Sequence, residues 1–252
     1  MAHIQVSRRG KIGIVTINRP DARNALTLEM YHGLNGAFAS LEEAPDVNAI
    51  VLTGTPPSFC AGADLGLLET LCREGEERVR VPPLTFLRPT AMRKPTVAAI
   101  NGYCVGEGFA LALACDIRIG GPSSKFFLPE ANLGVPAVTI PSLIARSIPP
   151  NFAIELLLTG DHLDVDWGMR SGFLNHVVPD EDILARAISM AAAIAEKPPE
   201  AVQLMRYLVH ASFEREIEAL LEDGLSRRRD LRPRLTSPPL AQSSGAKDER
   251  CP

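Results

Sequence analysis

Two short segments hold the residues whose types and spacing suit chemistry. The first is SFCAGADLGLL at 58–68, where a strand runs into a small-residue turn that opens a helix near Asp64. The second is NGYCVGEGFALALACD at 101–116, again a strand, a glycine-rich turn and a helix start. A helix start leaves backbone N–H groups without internal partners and carries positive potential, so each turn can meet an anion. Gly102, Gly106 and Gly108 let backbone or ligand approach closely. Two such turns side by side would offer two main-chain N–H groups to one oxygen. That arrangement suits thioester chemistry, in which charge develops on a carbonyl oxygen. Each turn alone reads more readily as ordinary strand-to-helix punctuation.

The elements that must position these turns are legible from pattern. Ile4 to Ser7 and Lys11 to Asn18 read as an N-terminal hairpin about Arg9-Gly10. Thr27 is placed to cap a helix with Met30, Leu34, Phe38 and Leu41 on one face, closed by Pro45-Asp46. NAIVLT at 48–53, TVAAIN at 96–101 and DIRIG at 116–120 read as buried strands, with Gly102 to Gly108 as a turn and Phe109 to Ala114 as a helix. Alternating strands and helices predict an α/β fold with a parallel sheet built from right-handed crossovers. From Pro136 the pattern becomes helical, over 141–146, 151–158, 164–171, 180–196 and 199–225, with one short strand at 175–178. Residues 232–252 carry little that can be buried and read as a disordered tail.

The whole chain excludes several classes. Its 252 residues are 46% hydrophobic and 22% charged with net charge −4, a soluble globular composition with no basic, aromatic-flanked stretch for nucleic acid. Arg227 to Arg229 reads as a solvated helix end. No run of about 18 apolar residues marks a membrane span, and the first ten residues lack a signal peptide's apolar stretch, so a cytoplasmic location is expected. Cys60, Cys72, Cys104, Cys115 and Cys251 show neither paired spacing nor metal-ligand spacing and read as reduced thiols. The five histidines are scattered singly and read as structural.

Five ordered motifs carry a family resemblance: NRPDARNALT at 18–27, SFCAGADL at 58–65, KPTVAAING at 94–102, GEGFALALACDI at 106–117 and LPEANLG at 128–134. Over about residues 4–210 the chain resembles the enoyl-CoA hydratase/isomerase (crotonase) superfamily. The resemblance implies a spiral of ββα repeats over 1–190, a C-terminal helical region over 191–230 that mediates trimers or hexamers, and the tail over 231–252. It also implies a coenzyme A thioester as substrate, with no cofactor and no metal. Position by position, the oxyanion N–H groups fall on Ala63 and Glu107. Arg23, Ala25, Leu26, Ala61, Gly62, Asp64 and Leu65 match the stretches that contact coenzyme A, and Gly106, Gly108 and Ala110 complete the lining. Asp64 also suits a helix N-cap.

One departure governs the expected reaction. Hydratases of the family use two glutamates, and the second is present as Glu130, but Ala110 stands where the first would be. Glu130 follows the apolar run Phe126 to Leu128, which predicts a desolvated carboxyl with a raised pKa. A single base suffices for Δ3,Δ2-enoyl-CoA isomerisation, and that is the expectation. Two alternatives remain open: hydration with Glu107 supplying the second carboxyl, and a non-catalytic acyl-CoA binder. In the bland reading Glu107 points to solvent or to an adjacent subunit. Leu68, Leu71, Leu84 and Phe86 are expected to line the acyl pocket. A serine-protease relative of the spiral is disfavoured, since no serine sits in a nucleophile turn with a histidine placed after it.

Overall fold

The computed structural model describes residues 3–75, 78–134, 137–145 and 147–231. In chain order its strands are β1 (Ile4–Arg9), β2 (Ile12–Ile17), β3 (Ala49–Gly54), β4 (Ser58–Cys60), β5 (Thr96–Ile100), β6 (Tyr103–Val105), β7 (Ile117–Gly120), β8 (Lys125–Phe127) and β9 (His176–Val177). Its helices are α1 (Leu28–Glu43), α2 (Leu65–Glu74), α3 (Glu107–Ala114), α4 (Thr139–Ile144), α5 (Pro150–Thr159), α6 (Val165–Arg170), α7 (Ile183–Ala195) and α8 (Pro199–Leu231).

A large sheet runs in the order β1-β2-β3-β5-β7-β9 and a small one in the order β4-β6-β8. Among the strand pairings of the described residues, β1–β2 is antiparallel and the other six are parallel. Parallel strands need crossovers, which put helices over the sheet and bury both of its faces. β3 shows the consequence, being buried at every position. Ile50 and Leu52 face the main core between the sheets, while Val51 faces a second core against α7. On α7, Ile183, Ala187, Ala191 and Ala195 recur every four residues as a buried stripe whose small side chains allow close approach to the sheet. The expected division at residue 190 falls inside this helix.

Thr27 caps α1 by accepting from the Met30 N–H, and Met30, Leu34, Phe38 and Leu41 are buried as their spacing predicts. The stretch 102–108 is a correction. It contains β6, and the helix begins at Glu107 rather than Phe109. A three-residue strand between two glycines with positive φ is too short to display a period of two. The helix expected over 180–196 likewise opens with a 3₁₀ turn, Asp180–Asp182. Residues 232–252 lie outside the described residues. None of the described helices is long and apolar enough to cross a membrane.

Candidate active site

The first turn follows β4 and is zipped to the segment that precedes α1. The Ala61 N–H donates to the Arg23 carbonyl at 3.0 Å, Leu26 N–H to Gly62 at 2.8 Å and Asp64 N–H to Leu26 at 2.9 Å. Arg23 and Asn24 both adopt positive φ, 50° and 60°. The buried Asn24 amide offsets that strain by donating to the Ser58 carbonyl at 2.6 Å and the Thr55 carbonyl at 2.9 Å. Asp64 is the N-cap of α2, accepting from Gly66 and Leu67 N–H, and pairs with Arg19 at 2.6 Å. Burial pushes its pKa up, but Arg19 and the two N–H groups outweigh this and hold the carboxyl below the usual range.

The second turn follows β6, and there is no room in it for side chains. A Cβ on Gly108 would lie 2.3 Å from the Cys60 carbonyl oxygen, and one on Gly62 would lie 3.6 Å from the Glu107 nitrogen. The two turns therefore pack backbone against backbone. Gly106 is the N-cap of α3, with φ 52° and no side-chain cap. Among the described residues, neither the Ala63 nor the Glu107 N–H donates a hydrogen bond. Behind the turn, α3 is fixed by Phe109, which stacks on Phe173 at 4.4 Å and meets Phe126 edge to face.

Glu130 arrives from β8 through Leu128-Pro129. Its Oε1 lies 3.3 Å from the point a Gly106 Cβ would occupy, and its Oε2 is buried without a hydrogen-bond partner. Burial raises its pKa, against a lowering by its own backbone N–H. Glu107 does not point to solvent: it is half-buried, and burial first, then the Glu130 carboxyl, raise it to about 7. The two carboxyls thus share one desolvated site. Ala110 is fully buried and exposes nothing to a ligand.

Of the other expected contact residues, Arg23 is exposed, with its guanidinium 5.2 Å from the centre of the Tyr103 ring. Ala25 and Ala61 are half-buried, and Leu65 is exposed at the start of α2. Leu26 is wholly buried, so it meets the turn through its backbone alone. Leu84 and Phe86 belong to the core, Phe86 stacking on Phe38 at 3.9 Å. Sequence reasoning missed Tyr31: buried on α1, its phenol is pushed up by desolvation and then by the Glu107 carboxyl. Its place on the buried face of α1 made it look like filler. Among the described residues, no cluster of three His, Cys, Asp or Glu side chains is placed to hold a metal. A groove of about 530 Å³ between α7 and α8 includes neither glutamate.

Residues 7–229 match the enoyl-CoA hydratase/isomerase family. The chain belongs to that family. Members are enzymes, and the relatives are close along most of their length. A probable enoyl-CoA hydratase of Mycobacterium bovis is 34% identical over 223 residues, covering 88% of this chain and 85% of the relative. A short-chain-enoyl-CoA hydratase of Clostridium acetobutylicum is 30% identical over 222 residues, covering 87% and 85%. Among solved structures, an enoyl-CoA hydratase from Mycobacterium tuberculosis superposes with TM-score 0.81 at 29% identity, covering 92% of this chain and all of that one. A carnitinyl-CoA dehydratase from Mycobacterium avium gives 0.74 at 31% identity, covering 94% and 98%. The crotonase spiral expected of the family is the fold of this chain.

Proposed function

We propose that the protein hydrates a 2-enoyl-CoA thioester, and dehydrates the 3-hydroxyacyl product, with Glu130 and Glu107 as a carboxyl pair. The observation that carries this reading is the placement of Glu130 Oε1 3.3 Å from where a Gly106 Cβ would lie, at the residue before Glu107, together with a Glu107 pKa raised by burial and then by Glu130 to about 7. It moves the preference from isomerisation, expected from Glu130 alone, to hydration, and relatives named as hydratases support the same choice. The Ala63 and Glu107 N–H groups form the oxyanion hole for the thioester oxygen. Coenzyme A lies along Arg23, Ala25, Leu26, Ala61, Gly62, Asp64 and Leu65.

In this mechanism Glu130, ionised, takes a proton from water, and the hydroxide oxygen bonds to C3. Negative charge moves to the thioester oxygen and is met by the two N–H groups. Glu107, protonated near neutral pH, gives its proton to C2, and the enolate collapses to the 3-hydroxyacyl thioester. The proton gained by Glu130 and lost by Glu107 is exchanged through solvent. Isomerisation is the second reading, favoured by Ala110 at the position where hydratases of the family hold a glutamate. Exposed Leu204, Met205, Tyr207, Leu208 and Val209 on α8 support assembly of copies into a trimer or hexamer, which light scattering tests.

The deciding experiment incubates the protein with 2-enoyl, 3-enoyl and 3-hydroxyacyl-CoA thioesters and resolves products by mass and retention. Water addition to the 2-enoyl thioester is expected. Conversion of 3-enoyl to 2-enoyl without hydration would replace this reading by isomerisation, and inertness toward all three would leave an acyl-CoA binder.

A further inference from the structure

Asp116 closes the motif that begins at Gly106, yet the chemistry above makes no use of it. It lies two residues beyond α3 and accepts four hydrogen bonds. Oδ2 takes the Thr96 N–H at 2.7 Å, the Thr96 hydroxyl at 3.0 Å and Arg206 Nε at 2.8 Å; Oδ1 takes His210 Nε2 at 2.7 Å. Burial alone would raise its pKa, but His210 and Arg206 outweigh this and hold it below the usual range. Arg206 reaches further and donates to the Met92 carbonyl. Thus one carboxylate joins the end of α3, the start of β5 and two side chains one turn apart on α8.

The tie leads back to the site. α8 packs on α4, and α4 packs on α3 and opens nine residues after Glu130. α3 is short, and its N-terminal residue supplies both an unpaired N–H and the Glu107 carboxyl. Glu107 thus sits at the start of a helix that leans on α4, which in turn leans on α8. A buried ionic cluster is weak evidence for a stabilising role, because well-packed apolar side chains of similar volume often serve as well or better.

We infer that Asp116 is a positioning residue: with Arg206 and His210 it clamps α8 to the C-terminal end of α3 and so keeps Glu107 in register with Glu130. The inference rests on the carboxyl-pair reading of the site. It needs no contact between Asp116 and substrate.

The test measures kcat, KM and thermal stability of the full-length enzyme with a 2-enoyl-CoA. A displacement of about 1 Å in a catalytic group costs on the order of 10²-fold. Asp116→Asn is therefore expected to lower kcat roughly 10- to 100-fold, with KM little changed. Asp116→Glu should recover part of that loss. Asp116→Asn combined with His210→Gln should cost no more than Asp116→Asn alone, since both release the same clamp. A folded Asp116→Asn enzyme with wild-type kcat would overturn the inference, as would additive losses in the double variant. If Asp116→Asn does not fold, His210→Gln and Arg206→Gln carry the same prediction of lost kcat at unchanged KM. Loss of activity in Glu107→Gln but not in the clamp variants sinks the clamp alone. Loss in the clamp variants but not in Glu107→Gln removes the carboxyl pair and leaves a clamp acting on the N–H groups.

Discussion

The same backbone device occurs twice in this molecule, once at β4–α2 and once at β6–α3, in opposite surroundings. Both are strand, glycine turn and helix, and both leave one N–H unpaired next to the other. α2 buries only Leu67 and has its first N–H groups satisfied by the Asp64 carboxylate. α3 buries every residue after Glu107 and has no side-chain cap. α2, its first N–H groups satisfied, lies largely at the surface. α3, buried and without a side-chain cap, keeps the positive field of its N-terminus unquenched by any capping carboxylate. The difference teaches that geometry alone does not set the chemistry of a turn: burial, with the Glu130 charge, raises the pKa of the glutamate next to it to about 7.

The largest effect should come from the buried side. Glu130→Gln keeps the shape of the side chain but cannot accept a proton, and should lower kcat by about 10³-fold within the range of general acid–base catalysis. Coenzyme A affinity by calorimetry should stay near wild type, and a Glu130→Gln enzyme that turns over normally would move the base elsewhere. The next effect contrasts two glycines directly. Gly108→Val places a branched Cβ on the Cys60 carbonyl, displaces the Glu107 N–H and should cost about 10²–10³-fold in rate. Gly66→Ala, whose Cβ would meet only Asp64 Oδ1 at 3.1 Å, should leave the rate near wild type. Equal losses at both positions would erase the contrast between the turns.

Stability should separate the two regions as well. Glu107 binds its proton more tightly folded than unfolded, so its contribution is full below the unfolded value of 4.5 and is lost as pH rises to about 7. That amounts to at most about 3 kcal/mol, to be read from urea midpoints across this range, and Glu107→Gln should flatten that part of the curve. Asp64 behaves oppositely: its stabilisation is present near neutral pH and is lost on acidification. Removing it as Asp64→Ala should cost about 1 kcal/mol, the typical worth of an N-cap.

Much of this was legible in the sequence because the elements carry strong periods. α1 declared itself through Thr27 and a four-residue apolar stripe, and β3 and β5 through unbroken apolar runs bounded by turns. The strand entering the first turn was read, but β6 and β8, three residues each, were not, since they are defined by pairing rather than pattern. Ala110 was read as standing where an acid would be, and the raised pKa of Glu107 depends on how deeply two turns pack. Spacing along a chain cannot report that depth. Phe86 misled for the same reason: an apolar residue in an irregular stretch suits a pocket wall or a core equally well.

The central claim is that two carboxyls, not one, serve the reaction. The most direct measurement is kcat for hydration of a 2-enoyl-CoA by Glu107→Gln beside the wild type, from about pH 5 to about pH 9. The wild-type rate should fall as pH rises through about 7, where Glu107 gives up its proton, and the variant should be slower by about 10²-fold or more with no such limb. A Glu107→Gln enzyme that hydrates at the wild-type rate and keeps the wild-type pH profile would contradict the account.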